Sequence, residues 1–180
     1  MGKREITEKE WSKLRLHLGQ KARMVFDVMW FTGERIGAIV QLQQADIFDT
    51  KGKVREIITF RRGTRKGKDR SRLVVAHDSL KEILQRYPKE NSMWMFPGLS
   101  DGHLQKDSAM DALERAKDSA GLGVSSITSH SFRYAFANRL HRKGYDLVLI
   151  QQALGHVDIR STRVYINDRP DAVAAAIRSL

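Results

Sequence analysis

The spacing of apolar residues along the first part of the chain predicts two consecutive helices. Thr7 and Glu10 fit a capping box, which indicates a helix from about Glu8 to Leu18 that ends at Gly19. Residues 21–31 repeat apolar side chains at the spacing of one helical face, and the set is Ala22, Val25, Phe26, Met29 and Trp30. So broad an apolar face is typical of a core helix.

A turn follows this second helix. The run Thr32-Gly33-Glu34-Arg35 interrupts the helical pattern, and apolar spacing resumes at Ile36. Arg35 is therefore predicted to lie at a turn between two buried helices. Taken alone, Arg35 is explained equally well as an arginine that caps a helix or forms a salt bridge, with Asp46 as the candidate partner.

The pattern changes in the middle of the chain and predicts a β-hairpin. Residues 54–60 are rich in β-branched and aromatic side chains, and residues 73–76 are so again after a charged turn that contains glycine. Helical spacing returns over residues 78–87 and 104–120. The predicted fold class is therefore mainly α, an α+β arrangement of helices with a small antiparallel β-sheet.

A helix is predicted to begin near Ser129, because Thr128 and Ser129 are both good N-cap residues and an apolar pattern follows them. His130 and Arg133 are three positions apart on this helix and so share a face. Lys143 and Gly144 are predicted to end it.

Further short helices are predicted after this one. Asp146 can cap a helix over residues 147–154, and Gly155 can end it directly before His156. Asp158 can start the next helix, which would carry Tyr165. Residues 171–180 have an apolar stripe but are too few for a stable isolated helix, so they are expected to pack on their own domain or on a neighbouring copy.

Charge and composition narrow the class of protein. The 180 residues are 41% hydrophobic and 29% charged, as in one globular domain, and the net charge of +11 favours a polyanionic partner, nucleic acid before membrane. The absence of cysteine excludes disulfides, thiol catalysis and thiolate metal sites. Because no apolar run approaches the roughly 20 residues of a membrane span, we expect a cytoplasmic, DNA-associated protein.

The tip of the predicted hairpin is dense in positive charge. One interpretation is a solvated edge that resists aggregation. We favour a flexible cationic finger laid against phosphates, because so many basic side chains follow one another there. The predicted DNA-binding residues are Arg61, Arg62, Arg65, Lys68 and Arg70.

Motifs for other chemistries are absent from the sequence. It contains no P-loop, no dinucleotide glycine fingerprint, no GxSxG nucleophile motif and no HExxH metal motif. Four histidines stand singly and are expected to be surface or core residues: His17, His77, His103 and His141. We therefore expect neither a metal ion nor an organic cofactor.

Five features in a fixed order resemble the catalytic domain of tyrosine recombinases, the phage integrase family. They are the run Thr32-Gly33-Glu34-Arg35, the basic hairpin, His130-Ser131-Phe132-Arg133, Leu154-Gly155-His156 and Tyr165. The resemblance spans nearly the whole chain. It implies double-stranded DNA as the substrate, cleavage and rejoining of DNA strands without a cofactor, and a homotetramer on DNA as the working state.

The resemblance also implies a role for each matching residue. Tyr165 would attack a DNA phosphodiester and form a 3′-phosphotyrosine, which conserves the bond energy for rejoining. Arg35 and Arg133 would hold the charge that develops on the phosphate oxygens. His130 would assist proton transfer near the tyrosine, and His156 would hydrogen-bond a phosphate oxygen.

The leaving 5′ oxygen needs a proton, and the resemblance implies that a lysine of the hairpin donates it. Lys66 is the preferred candidate and Lys68 the alternative, because the hairpin carries an insertion relative to the common pattern. The chain departs from the family pattern in two places. Ala38 stands where many relatives have an acidic residue, and Val75 stands where many have proline.

The resemblance leaves two questions open. Relatives usually have a helical DNA-binding domain before the catalytic one, so we expect residues 1–180 to be a catalytic domain without this N-terminal core-binding domain. An excised domain is the preferred interpretation, and a minimal family member is the alternative. The competing functions are a type IB topoisomerase-like enzyme that relaxes DNA and a DNA-binding relative without catalytic activity. Strand exchange between two defined sites and a covalent adduct with DNA would distinguish recombination from these alternatives.

Overall fold

Eight helices and one two-stranded sheet make up residues 4–64, 71–99 and 101–155, the part of the chain described by the computed structural model. The elements are α1 (Glu8–Arg15), α2 (Gln20–Thr32), α3 (Ile36–Ile39), α4 (Gln44–Ile47), β1 (Ile57–Phe60), β2 (Arg72–Val75), α5 (Asp78–Arg86), α6 (Lys106–Ser119), α7 (Ser129–Arg142) and α8 (Leu147–Leu154). This is the mainly α class expected from the sequence.

The core is organised around α2, whose residues from Met24 to Trp30 are all buried. An aromatic cluster joins α1, α2 and α7. The ring of Phe132 lies 4.9 Å from that of Trp11 in an edge-on arrangement and 5.0 Å from that of Phe26. Burial of large rings in such contacts contributes strongly to core stability. Helix α2, predicted over residues 21–31, is therefore the central helix of the core.

Helix α1 begins as predicted and ends early. The Thr7 side chain accepts from the Glu10 amide at 3.2 Å while the Glu10 carboxylate accepts from the Thr7 amide at 2.9 Å, which completes the capping box. Arg4 also pairs with Glu10, and this hydrogen bond, with those from Thr7, lowers the pKa of Glu10 to about 2. The helix ends at Arg15 because the next two amides bond to carbonyls three residues back, which tightens the last turn before Leu18 enters the core.

The predicted hairpin is present and shorter than expected. Strands β1 and β2 are antiparallel, with Ile57 opposite Val75 and Phe60 opposite Arg72. Val54 instead forms an isolated bridge with Phe48, so the strand begins three residues later than the predicted 54–60. Ile58 and Phe60 enter the core, which fixes the hairpin against the helices.

Helices α7 and α8 follow the sequence predictions closely. Thr128 caps α7, and the Ser131 hydroxyl accepts from the Thr128 amide at 3.1 Å. Asp146 caps α8 by accepting from the Leu149 amide at 2.7 Å, and Gly155 ends α8 in the left-handed conformation at φ 60°. The helices predicted from Asp158 and over residues 171–180 lie outside the described residues.

None of the helices in these three ranges is long and apolar enough to cross a membrane.

Gly33 allows α2 and α7 to meet at the point where α2 ends. Its φ of 61° is left-handed, and a Cβ built on it would overlap the ring of Phe136 on α7. Only glycine satisfies both the conformation and the close approach. The turn that leads into Arg35 therefore depends on a residue with no side chain.

We predict that Gly33→Ala destabilises the protein by about 2 kcal/mol or more, because the left-handed conformation costs about 1–2 kcal/mol and the Phe136 ring must also move. Urea unfolding measures the effect. Gly37→Ala is the matched control, since no heavy atom lies within 4 Å of a Cβ there. Equal stability of the two variants would contradict the tight contact.

Candidate active site

Arg35 lies where the chain leaves α2 and enters α3. Its backbone is extended, with φ −72° and ψ 141°, and its amide donates to the Glu34 carboxylate at 2.8 Å. The side chain is half-buried, and its Nη1 atom is buried without a hydrogen-bond partner among the described residues. A buried guanidinium nitrogen that lacks an acceptor is suited to an anionic ligand.

His130 and Arg133 reach the same place from the N-terminal end of α7. His130 is exposed, whereas Arg133 is buried. Together with Arg35 they line a cleft of about 570 Å³, which Thr64 of the hairpin and Lys106 of α6 also line. Residues almost a hundred positions apart in sequence are thus brought to one cleft. Lys106 was not predicted, since a lone lysine at a helix start carries no sequence signal.

Arg133 joins three elements. Its Nη1 donates to the Gly33 carbonyl, and its Nη2 donates to the Leu154 carbonyl at 2.8 Å. The Glu34 carboxylate lies 3.9 Å from Nη1. Arg133 therefore ties α7 to the turn before Arg35 and to the last carbonyl of α8.

A buried ion pair between Glu34 and Arg72 supports this arrangement. Arg72 Nη1 donates to Glu34 Oε2 at 2.7 Å, and Arg72 Nη2 donates to the Thr32 carbonyl at 3.1 Å and to the Ala153 carbonyl. Sequence reasoning missed both members of the pair and treated Arg72 as part of the basic tip. The available signal was strand alternation, because Arg72 shares the inward face with Val74.

Arg61 contacts the protein itself. Its Nε lies 3.0 Å from Asp46 Oδ2, its Nη2 donates to the Gln41 carbonyl at 2.6 Å, and its guanidinium lies over the Trp94 ring at 5.8 Å. Asp46 thus pairs with Arg61, and the described contacts do not support the alternative interpretation in which Asp46 is the partner of Arg35. These contacts limit the freedom of Arg61 to reach DNA, whereas Arg62 is exposed.

Several predicted site residues lie outside the described residues. They are Lys66, His156 and Tyr165 of the catalytic set and Arg65, Lys68 and Arg70 of the DNA-binding set. Their neighbours in sequence are informative. Thr64, the last described residue before the hairpin tip, lines the cleft, and the Leu154 carbonyl near the end of α8 accepts a hydrogen bond from Arg133.

A second cleft of about 390 Å³ lies on another face of α7 and has a different character. Arg139 contributes to it while lying over the Trp30 ring at 3.9 Å and donating to the Trp30 carbonyl. Burial lowers the pKa of Arg139 to about 10. None of the predicted catalytic residues that the structure describes lines this second cleft.

Within residues 4–64, 71–99 and 101–155, no group of three or more histidine, cysteine, aspartate or glutamate side chains could hold a metal ion. The charged groups described at the Arg35 cleft are instead cationic. Such a site can bind a phosphate through guanidinium and ammonium groups.

Comparison with known proteins identifies the family. The family model described as the phage integrase family matches residues 5–171. The chain belongs to the phage integrase family. Among curated relatives, tyrosine recombinase XerD of Brucella suis biovar 1 is 30% identical over 161 residues, which cover 84% of this chain and 48% of the relative. An integrase/recombinase of Sinorhizobium fredii is 34% identical over 164 residues, with 88% and 50% coverage.

Solved structures of recombinases have the same fold as this member of the phage integrase family. XerH recombinase bound to its difH substrate matches with a TM-score of 0.72 and 25% identity, over 96% of this chain and 51% of that one. The Tn1549 transposon integrase in complex with a circular intermediate DNA matches with a TM-score of 0.79 and 15% identity, over 99% and 66%. The chain spans about half the length of the curated relatives.

We predict that Arg61 and Asp46 are energetically coupled. A double-mutant cycle with Arg61→Ala and Asp46→Ala should give a coupling free energy of about 1 kcal/mol in urea unfolding, because the pair is partly shielded from water. Arg62→Ala is the control and should leave stability within about 0.5 kcal/mol. Additive effects of the two alanine substitutions would show that the ion pair contributes nothing.

Proposed function

We propose that the chain is the catalytic domain of a site-specific DNA recombinase, which cleaves and rejoins DNA strands through a 3′-phosphotyrosine. The observation that carries this proposal is the single cleft that Arg35, His130 and Arg133 line. Membership of the phage integrase family and the relatives named tyrosine recombinases support the same chemistry. DNA is then the substrate and the principal partner of the domain.

Electrostatics favours a phosphate in this cleft. Arg35 offers a buried nitrogen without an acceptor in the described residues, and Lys106 adds an ammonium at the same cleft. Charged donors that are fixed before the reaction stabilise a transition state better than mobile water does. We propose that Arg35 and Arg133 hold the non-bridging oxygens of the scissile phosphate and that His130, which is exposed, contacts the same phosphate.

The proposed reaction balances without an external energy source. The phenolic oxygen of Tyr165 attacks the phosphorus, its proton passes to the imidazole of His130, and the bond to the 5′ oxygen breaks. His156 would hydrogen-bond a phosphate oxygen. Lys66 would protonate the 5′ oxygen, and normal cleavage by Lys66→Ala together with loss of cleavage in Lys68→Ala would reverse that choice.

We further propose how the domain holds DNA. Arg62, Arg65, Lys68 and Arg70 would contact the backbone as a cationic finger, and the excess of positive charge over the whole chain would attract the duplex. Arg61 would contribute indirectly, by fixing the start of the finger through Asp46. The domain would work as a tetramer on DNA, with residues 171–180 as the candidate contact between copies.

We predict that Tyr165→Phe abolishes a covalent protein–DNA adduct on a nicked suicide substrate, because the nucleophilic oxygen is lost. A denaturing gel run after incubation in EDTA measures the adduct. Tyr145→Phe is the matched control, since Tyr145 is an exposed tyrosine that does not line the cleft, and it should retain the adduct. An adduct that persists in Tyr165→Phe would exclude Tyr165 as the nucleophile.

A further inference from the structure

Three charged side chains are buried together behind the Arg35 cleft. Glu34 is 0% exposed, Arg133 is 1% exposed and Arg72 is 8% exposed. Removing charges from water costs several kcal/mol per ion, and a buried pair often stabilises a fold no better than apolar residues of the same size. Stability alone therefore gives no reason for this cluster.

The geometry of the cluster gives a reason. Arg72 connects the Thr32 carbonyl to the Ala153 carbonyl, and Arg133 connects the Gly33 carbonyl to the Leu154 carbonyl. The two guanidinium groups thus form two adjacent bridges between the turn at residues 32–34 and the last two carbonyls of α8. Carbonyls at a helix C-terminus carry partial negative charge, so cations are favourable there.

The Glu34 carboxylate lies closer to one of the two bridging guanidinium groups than to the other. It lies 2.7 Å from Arg72 and 3.9 Å from Arg133, so Arg72 takes the direct contact. Among the described residues, Glu34 is the carboxylate that faces these two guanidinium groups, and the three side chains together carry a net positive charge. A phosphate bound in the cleft would compensate that charge.

We propose that Glu34 and Arg72 are positioning residues that hold the Arg133 guanidinium and the C-terminal end of α8 at the cleft. This inference rests on the proposed function, in which Arg133 acts on the scissile phosphate. Without Arg72, the Glu34 carboxylate still has the guanidinium of Arg133 at 3.9 Å. Coulomb attraction in a poorly hydrated site then draws Arg133 toward Glu34 and away from the phosphate.

The test compares Arg72→Met with the loss of a second ion pair, in which half-buried Arg15 contacts buried Asp27. Arg15 binds Asp27 through two contacts of 2.8 and 2.9 Å between α1 and α2, and neither residue lines the cleft. We expect Arg15→Met to lower Tm and leave the single-turnover rate of adduct formation at saturating DNA within about twofold. Arg72→Met should lower that rate about tenfold or more, which corresponds to at least about 1.4 kcal/mol of transition-state stabilisation.

A modified DNA substrate tests whether the rate defect of Arg72→Met arises through Arg133. A methylphosphonate at the scissile position lacks one anionic oxygen and needs less stabilisation by cations. If Arg72 acts through Arg133, the rate defect of Arg72→Met should shrink on the methylphosphonate, as it should for Arg133→Met. An equal defect on both substrates, or a defect no larger than that of Arg15→Met, would overturn the inference.

Arg72→Lys keeps the positive charge but cannot donate to two carbonyls as the planar guanidinium does. If Arg72→Met does not fold, Arg72→Lys replaces it in the comparison with Arg15→Met. Its rate defect should have the same direction and smaller size. If this inference alone is wrong, the wild-type chain still forms the adduct, and the Arg72 variants form it at the wild-type rate. Absence of any Tyr165-linked adduct from the wild-type chain would instead overturn the proposed function and this inference with it.

Discussion

The packing of α2 against α7 is the constraint on which the site depends. The aromatic cluster around Phe132 fixes the two helices, and Gly33 lets them approach closely where α2 ends. Arg35 follows the end of α2, whereas His130 and Arg133 are carried by the first turns of α7. The packing of these aromatic rings therefore sets the distance between the three side chains that line the cleft.

Most helix ends and the hairpin could be predicted from the sequence, because the residues that specify them are neighbours along the chain. The capping box at Thr7, the Asp146 cap and the left-handed Gly155 each follow from side chains within four residues of the helix end. The hairpin follows from its β-branched residues. That Arg35, His130 and Arg133 meet in one cleft was predicted from a resemblance in order and spacing, and the structure brings them together.

The features that escaped prediction depend on contacts between distant segments. Glu34 and Arg72 are 38 positions apart, and in the sequence each resembles an exposed charged residue. They become a buried pair only because the hairpin packs beside the turn at residues 32–34. Arg61 was expected to meet DNA, yet it pairs with Asp46 on α4. Periodicity shows which face of an element is apolar, but it does not show which buried charge has a partner on another element. The basic hairpin is consequently of mixed character, with Arg72 inside, Arg61 fixed at its base and Arg62 exposed.

A crystal structure of the chain bound to a suicide half-site would test most directly whether the cleft holds the scissile phosphate. We predict that a non-bridging phosphate oxygen lies about 3 Å from the guanidinium of Arg35, within hydrogen-bonding distance, and that His130 lies at the same phosphate. A scissile phosphate bound elsewhere, such as at the cleft that Arg139 lines, would contradict the assignment of the active site.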